Sequence, residues 1–144
     1  MKRRHLGVLL AAPALSWARS KPRYRFGLLV PDQDGGYRLE QETARIPRKY
    51  KDSGLRFGVE FTNWDRLPLD FYEVVHFPQD VAQATGNLRR VEPRTLRTKT
   101  MLSDADRIVV DFWFDPGDPL GRHRLELVVN EIRVYTVDFE VVAG

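Results

Sequence analysis

The chain has 144 residues, no cysteine, and 23 Lys and Arg residues against 20 Asp and Glu residues, a formal net charge of +3. The lack of cysteine excludes disulfides, thiolate metal sites, cysteine nucleophiles and lipid attachment at a cysteine. Three of the basic residues and none of the acidic ones lie within residues 1–18, so the remainder is balanced at 20 of each sign. A neutral body gives no reason to expect a nucleic-acid partner.

The first 18 residues have the three parts of an export signal. Basic residues fill positions 2–4, an apolar stretch runs from Leu6 to Leu15, and the small residues Ser16 and Ala18 stand at the −3 and −1 positions of a peptidase site. We therefore expect cleavage after Ala18 and a periplasmic or secreted protein. The arginine pair at positions 3 and 4 leaves the route open between the general secretory and twin-arginine pathways.

The apolar stretch of this signal is shorter than the roughly 20 residues of a membrane span, and no later stretch is apolar enough. An uncleaved N-terminal anchor remains the alternative to cleavage. Residues 19–144 are enough for one domain and too few for two. We expect a single domain with no stable membrane span in the mature chain.

Period-two alternation of apolar and polar residues predicts strands in the first half of the chain. The predicted strands are Tyr24–Val30, Tyr37–Pro47, Leu55–Thr62 and Leu69–Phe77, with a turn at 31–36. Leu69, Phe71, Val75 and Phe77 form the apolar face of the fourth strand. Residues 79–95 lack a sustained period and predict a long loop, with one helical turn near 81–84.

The second half of the chain begins with a short predicted edge strand over 95–102. Its Arg97 and Lys99 are expected to point outward, because charged side chains discourage pairing between sheet edges. The clearest strands follow at 108–114, 123–129 and 132–142, with dense turn residues at 115–121 and a turn at Asn130-Glu131.

The last strand contains two apolar sets on opposite faces, one with Ile132 and Val134 and one that begins at Tyr135. A side-chain period of two cannot place both sets inward. We therefore predict a β-bulge or a change of sheet partner near Tyr135–Val137. A regular ladder through these residues would contradict that prediction.

Short strands, turns about every ten residues and almost no helical periodicity predict an all-β antiparallel sandwich of six to eight strands. A small β-barrel is the alternative.

Two stretches resemble motifs of an uncharacterised bacterial family of exported domains. In the first, Ile46-Pro47 precedes the strand segment Phe57-Gly58-Val59. The second stretch has a glycine, a strand, a short turn and a second strand. Residues 119–130 contain the glycine, Gly121, and the first strand, and the second strand ends with Phe139-Glu140-Val141.

The match to this family has two departures. Its His-Pro-like pair stands here as His76-Phe77-Pro78, and a Trp that it often carries is replaced by His123. The resemblance covers about residues 40–142. It implies an immunoglobulin-like β-sandwich, here of about seven or eight strands, with no established activity.

No catalytic motif is evident in the sequence. After the signal only His76 and His123 remain, both in predicted strands and without the spacing of a zinc site. We interpret them as hydrogen-bonded, partly buried side chains. No serine lies in a nucleophile elbow.

Acidic residues are concentrated at Asp104, Asp106, Asp111, Asp115 and Asp118. A carboxylate pair among them would suit glycoside hydrolysis, and Asp115 with Asp118 would suit calcium. The same two residues precede Gly117 and Pro119, so we interpret them as turn residues. We expect no metal and no cofactor, and a small hydrolase that uses Asp111, Asp115 or His123 has no supporting motif.

The candidate partner-binding residues are a local basic stretch, a tryptophan near the middle of the chain and another in the C-terminal half. They are Arg89, Arg90, Arg94, Arg97, Lys99, Trp64 and Trp113. Because sandwiches bind through long loops and strand edges, we predict a non-catalytic binding or accessory module for a protein or envelope component. A carbohydrate-binding module that uses Trp64 or Trp113 is the alternative. The sequence specifies neither the partner nor the oligomeric state.

Overall fold

The structure is a computed structural model that describes residues 22–81 and 88–144. Its strands are β1 (Tyr24–Pro31), β2 (Tyr37–Glu42), β3 (Arg45–Arg48), β4 (Arg56–Thr62), β5 (Leu69–His76), β6 (Leu88–Glu92), β7 (Thr95–Thr98), β8 (Met101–Ser103), β9 (Arg107–Phe112), β10 (Gly121–Val129) and β11 (Ile132–Ala143). A single 3-10 turn covers Lys51–Ser53. Within these ranges no helix is long and apolar enough to cross a membrane. The predicted signal and most of the predicted helical turn lie outside the described residues.

Two sheets pack face to face. Sheet A has the order β2-β1-β4-β9, and sheet B has the order β3-β11-β10-β5-β7-β6 with β8 beside β5. Paired strands are antiparallel except β3 with β11. Because the sheets do not close on each other, the predicted sandwich is confirmed and the barrel is not formed.

The core lies between the sheets and follows the predicted alternation. Phe57, Val59 and Phe61 point inward from β4, and Leu125 and Leu127 point inward from β10. Each of these side chains is at most 5% exposed. Burying one such side chain contributes about 1.5–3 kcal/mol, so this face holds the two sheets together.

The predicted long loop at 79–95 is wrong in its second part. Leu88–Glu92 forms β6, which pairs with β7 and is the outer strand of sheet B. The first part of the predicted edge strand is therefore an inner strand, because β7 lies between β5 and β6, whereas Met101 and Leu102 belong to β8, which pairs with β5 alone. The sequence of β6 lacks alternation because four of its five residues are exposed.

The predicted strand over 37–47 is divided between the two sheets. β2 belongs to sheet A and β3 to sheet B, with the chain crossing at Thr43 and Ala44. There the Thr43 N–H donates to the Phe26 carbonyl, and the Glu140 N–H donates to the Ala44 carbonyl. Divisions of this kind explain why the described residues contain more strands than predicted.

The last strand contains a bulge, close to its predicted position. Tyr135 pairs with Leu127 and Arg133 pairs with Val128, so Val134 is the extra residue. The ladder through Tyr135–Val137 itself is regular. This regular ladder contradicts a register shift at Tyr135–Val137, and the shift lies one residue earlier, at Val134.

Candidate functional site

A cavity of about 230 Å³ lies between the two sheets beside β9, and we call it the inter-sheet cleft. Sheet B contributes Phe71, Val75 and Leu125 to its lining, and sheet A contributes Phe57 and Phe112. These walls are apolar, as in most small-molecule sites. The cleft reaches the surface near Lys99 and Met101, and Met101 is 47% exposed.

A break between β7 and β8 forms one side of this cleft. β5 pairs with β7 as far as Val74 opposite Arg97, and with β8 from Phe71 opposite Met101. Three residues, 98–100, therefore face only two on β5. The extra residue interrupts the ladder beside Glu73, whose N–H donates to the Thr98 hydroxyl at 2.9 Å.

Glu73 is the first polar side chain in the cleft. It is 1% exposed and lines the cleft from β5, between the inward positions of Phe71 and Val75. Burial raises the pKa of its carboxyl to about 8, although a hydrogen bond with the Thr98 side chain acts in the opposite direction. Within the described residues no protein group is a hydrogen-bond partner of its Oε2 atom. Glu73 is therefore mostly protonated at pH 7, and one of its oxygens has no described protein partner.

His123 is the second polar side chain in the cleft and is 3% exposed. Its Nδ1 atom lies 2.9 Å from the Gly121 carbonyl oxygen, which can only accept, so Nδ1 carries the proton. Burial lowers the pKa of the imidazole, which is consequently neutral. Nε2 is then an acceptor, and no described protein group is bonded to it.

Glu73 and His123 face the same space but do not contact each other. Glu73 pairs with Leu127, and Val75 pairs with Leu125, so His123 lies four residues further along the sheet. At about 3.3 Å per residue this separates their Cα atoms by about 13 Å along the strands. Val75 and Leu125 line the cleft between them. The arrangement suits two ends of one ligand rather than a catalytic dyad.

The other histidine, His76, has partners on both ring nitrogens. Nε2 lies 3.2 Å from Glu126 Oε2, and Nδ1 lies 3.3 Å from the Thr95 hydroxyl. The interpretation of His76 as a hydrogen-bonded histidine is confirmed. For His123 the interpretation as a hydrogen-bonded side chain is confirmed at Nδ1, whereas Nε2 has no described protein partner.

Three of the predicted acidic candidates reach the rim of the cleft: Asp111, Asp115 and Asp118. Asp118 closes a turn, because its carboxylate accepts the Asp115 N–H at 2.7 Å, while Asp111 lies 3.8 Å from the Arg56 guanidinium. Burial raises the pKa of Asp118. In the described ranges no three His, Asp or Glu side chains are grouped as a metal ion requires.

The predicted basic residues do not form one surface. Arg89 lies opposite Arg97 on β6 and β7, and the Arg97 guanidinium stacks 3.5 Å from the Tyr72 ring centre. Arg94 pairs with Asp80 at 3.0 Å. Arg90 and Lys99 have other surroundings. Arg90 donates a hydrogen bond to the Val81 carbonyl, and Lys99 lies at the rim of the cleft.

The two predicted tryptophans lie at opposite ends of sheet A. Trp113 follows Phe112, which pairs with Phe57 at the start of β4, whereas Trp64 follows the end of β4. A seven-residue strand separates them by about 23 Å. Trp113 is covered by Lys51 and Arg56, while Trp64 is 53% exposed. One platform built from both indoles is therefore excluded, whereas a carbohydrate-binding module that uses the exposed Trp64 alone stays a prediction.

The two polar side chains at the centre of the cleft were not among the predicted binding residues. His123 was considered only as a packing residue or in a hydrolase without a motif, and Glu73 was not considered. Glu73 could have been found from the alternation of its strand, because it occupies an inward position and the other buried inward residues of the strand are apolar. A charged residue in that phase must either find a partner or become neutral.

The fold and the cleft define an immunoglobulin-like β-sandwich with a lined space between its sheets. The family described as PM0630 beta sandwich domain matches residues 24–142, and the chain belongs to it. The chain is also similar to the crystal structure of an immunoglobulin-like protein from Pseudomonas aeruginosa, with a TM-score of 0.53 and 16% identity over 87% of this chain and 99% of that one. At that identity the likeness shows the fold alone. No curated protein matches the sequence.

These comparisons support a family of β-sandwich domains without an assigned activity. The resemblance noted from the sequence agrees with them in fold. Its particular motif, Ile46-Pro47 with Phe57-Gly58-Val59, is tested by neither comparison.

Proposed function

We propose that the protein is an exported, non-catalytic binding module and that the inter-sheet cleft takes a small, largely apolar molecule. The observation that supports this proposal best is the pair of buried side chains, Glu73 and His123, each with a polar atom that no described protein group satisfies. An unsatisfied buried polar group destabilises a fold by about 1–3 kcal/mol. A ligand that bonds to these atoms would recover that energy.

The size and walls of the cleft support a small ligand. A dry cavity of about 150 Å³ lined by apolar side chains is enough to bind benzene. The inter-sheet cleft is larger, at about 230 Å³, and carries phenylalanine rings on both sheets. Its charged groups lie at the rim, and the two buried polar side chains Glu73 and His123 lie at separate points, as in sites that orient a mostly apolar ligand.

A methyl-resolved NMR titration with toluene tests this proposal. We expect the methyl signals of Val75 and Leu125 to shift saturably, while those of Ile132, which is 66% exposed, stay in place. A Val75→Phe variant, which adds bulk inside the cleft, should lose the response while its surface signals remain. Toluene shifts that are equal in the variant, or absent from the wild type, would refute binding in the cleft.

A second candidate function is capture of a protein or envelope component along β6. β6 is the outer strand of sheet B, and its Arg89 and Arg90 are exposed. An outer strand can add a partner strand, and its arginines would favour an acidic one. Charges on an outer strand also hinder such pairing, and for this reason the cleft is the stronger candidate.

Affinity capture from an envelope extract tests this second candidate. Alanine at Arg89, Arg90 and Arg94 should reduce the amount of partner retained. A control with alanine at Arg38, Arg45 and Arg122, which removes the same charge elsewhere, should retain it. Equal capture by the two variants would remove β6 from consideration.

A further inference from the structure

We infer that the ligand of the inter-sheet cleft is an uncharged molecule with an apolar ring and an O–H or N–H donor, and that His123 Nε2 accepts the hydrogen bond from that donor. This inference rests on the proposed function, and it adds the chemical class of the ligand. Phenols and indoles are the simplest members of the class.

The tautomer of His123 determines which polar group can bind there. Nδ1 lies 2.9 Å from the Gly121 carbonyl oxygen and therefore keeps the proton, so the lone pair is on Nε2, which no described protein group hydrogen-bonds. A carbonyl or ether oxygen of a ligand has no proton to offer to that lone pair. Only an O–H or N–H group satisfies it.

The surroundings of His123 favour a ring beside that donor. Phe139 stacks on the imidazole at 5.1 Å between ring centres, and Phe77 meets it edge-on at 5.2 Å. Both phenyl groups also line the cleft. Aromatic rings pack well in such settings, through offset or edge-to-face contacts.

The charges around the cleft favour an uncharged ligand. Its two most buried polar groups, Glu73 and His123, are themselves neutral at pH 7. The rim carries Asp111, Asp115 and Asp118, with Lys99 as the lining cation and Arg56 and Arg48 close to the aspartates. The rim therefore has no strong excess of either sign, and a charged ligand would lose its hydration without a fixed counter-ion.

Glu73 provides a second point of contact about 13 Å away along the strands. As a neutral acid it can both donate and accept, so it tolerates several polar groups at the far end of a ligand. It would therefore set the length of the preferred molecule, whereas His123 sets the chemistry of its head group.

Phenol and toluene, compared by calorimetric titration, provide the test. The two probes have nearly the same shape, and only phenol can donate to Nε2. A purely apolar cavity prefers toluene, because phenol must lose its hydration. We expect the wild type to bind phenol at least about tenfold more tightly than toluene, the ratio typical of one satisfied buried acceptor.

Two variants complete the test. His123→Phe keeps a ring against Phe77 and Phe139 but removes the acceptor, so the preference for phenol should be lost while toluene still binds. His76→Phe, which alters the other histidine of sheet B, should keep that preference.

The outcomes separate the two proposals. If neither probe binds the wild type, the proposed function of the cleft is wrong. If the wild type binds toluene as tightly as phenol, or if His123→Phe keeps the preference for phenol, the cleft binds ligands but the inference about His123 is wrong. A wild-type ratio near one refutes the inference without any variant. A wild-type preference for phenol is assigned to His123 when His123→Phe loses it and still binds toluene, since toluene binding shows that the variant is folded.

Discussion

Two buried glutamates show how the environment of a single residue sets its charge. Glu60 lies on the outer face of β4 and accepts hydrogen bonds from the Leu39 N–H and from Arg25 and Arg107. Burial alone would raise the pKa of its carboxyl, but these donors hold it below its ordinary value. Glu73 lacks such cationic partners, so burial dominates there and the carboxyl stays neutral.

The raised pKa of Glu73 predicts how stability depends on pH. Below the ordinary pKa of 4.5 the carboxyl is protonated in both folded and unfolded chains. Between 4.5 and about 8 the unfolded chain releases a proton that the folded chain keeps. The contribution of Glu73 to the free energy of unfolding therefore falls, by up to about 1.4 kcal/mol per pH unit, and levels off above pH 8.

Glu73→Gln, which cannot ionise, should lose this dependence. We would measure the free energy of unfolding in urea at pH 5, 6, 7 and 8. The value for the variant should rise relative to that of the wild type as the pH rises, by a few kcal/mol in total. Glu40→Gln, at an exposed position of β2, is the control and should give a curve parallel to the wild type. If Glu73→Gln also runs parallel, the carboxyl is not neutral in the folded protein.

Some properties of the residues in the cleft could be predicted from the sequence, and others could not. The prediction that His123 lies in a strand is confirmed, and the structure places its side chain on the inward face of β10 with Leu125, Leu127 and Val129. Its unsatisfied Nε2 could not be predicted, because that depends on which groups of other strands approach the ring. The phase of Glu73 was visible, but its neutrality depends on the break opposite β5, which follows from the pairing of β7 and β8.

At the scale of elements, the hairpin between β10 and β11 follows its sequence closely. Asn130 and Glu131 form the predicted two-residue turn, and both have positive φ angles, 49° and 66°. Asn tolerates this conformation, whereas Glu is strained by about 1 kcal/mol, and Asn-Gly is the favoured pair.

Glu131→Gly should therefore stabilise the protein by about 0.5–1 kcal/mol. Thermal unfolding followed by circular dichroism would show a higher Tm. Glu131→Ala, which removes the same carboxylate but keeps a Cβ, should not give this gain. Equal effects of the two substitutions would assign the change to charge rather than to backbone conformation.

Close strand packing in sheet A depends on Gly58. A Cβ atom at this position would lie 1.8 Å from the Val110 carbonyl oxygen, so β4 and β9 could not keep their present spacing. We expect Gly58→Ala to destabilise the protein by about 1–3 kcal/mol. Gly36→Ala, where nothing lies within 4 Å of the new atom, is the matched control. Equal urea midpoints for the two variants would contradict this packing.

The predicted strands succeeded where one face is buried and failed where neither is. β4 and β10 alternate because the core selects every second residue. β6 is exposed on both faces, so no such selection leaves a pattern in its sequence. The passage of the chain from sheet A to sheet B at Thr43 and Ala44 could not be predicted for a different reason. The segment is extended on both sides of these residues, and only the partner strands differ.

For the molecule as a whole, export is the prediction that rests on residues 1–18. Removing residues 1–18 leaves a body with balanced charge and no cysteine. Such a domain folds without disulfides and can work in an oxidising or a reducing compartment.

Expression of the full chain in a bacterial host tests this prediction. The protein in the periplasmic fraction should begin at Arg19, as N-terminal sequencing would show. A chain that retains Met1 would contradict cleavage, and its location in the membrane fraction would favour the anchor instead.

An open side of the sandwich bears on the proposed binding role at the scale of the whole domain. β9 is an outer strand of sheet A and β6 is an outer strand of sheet B, and residues of both line the cleft. The space beside β9 therefore lies between the sheets but near an open side of the sandwich. An apolar ligand can leave water there and still reach polar groups inside.

The most direct measurement is a crystal structure of the protein soaked with 4-bromophenol, with the bromine located by its anomalous signal. We predict a bromine site inside the inter-sheet cleft, between β9 and the Val75 and Leu125 side chains, with the phenol oxygen within hydrogen-bond distance of His123 Nε2. Bromine found only on the outer surface, or only at contacts between molecules, would contradict it.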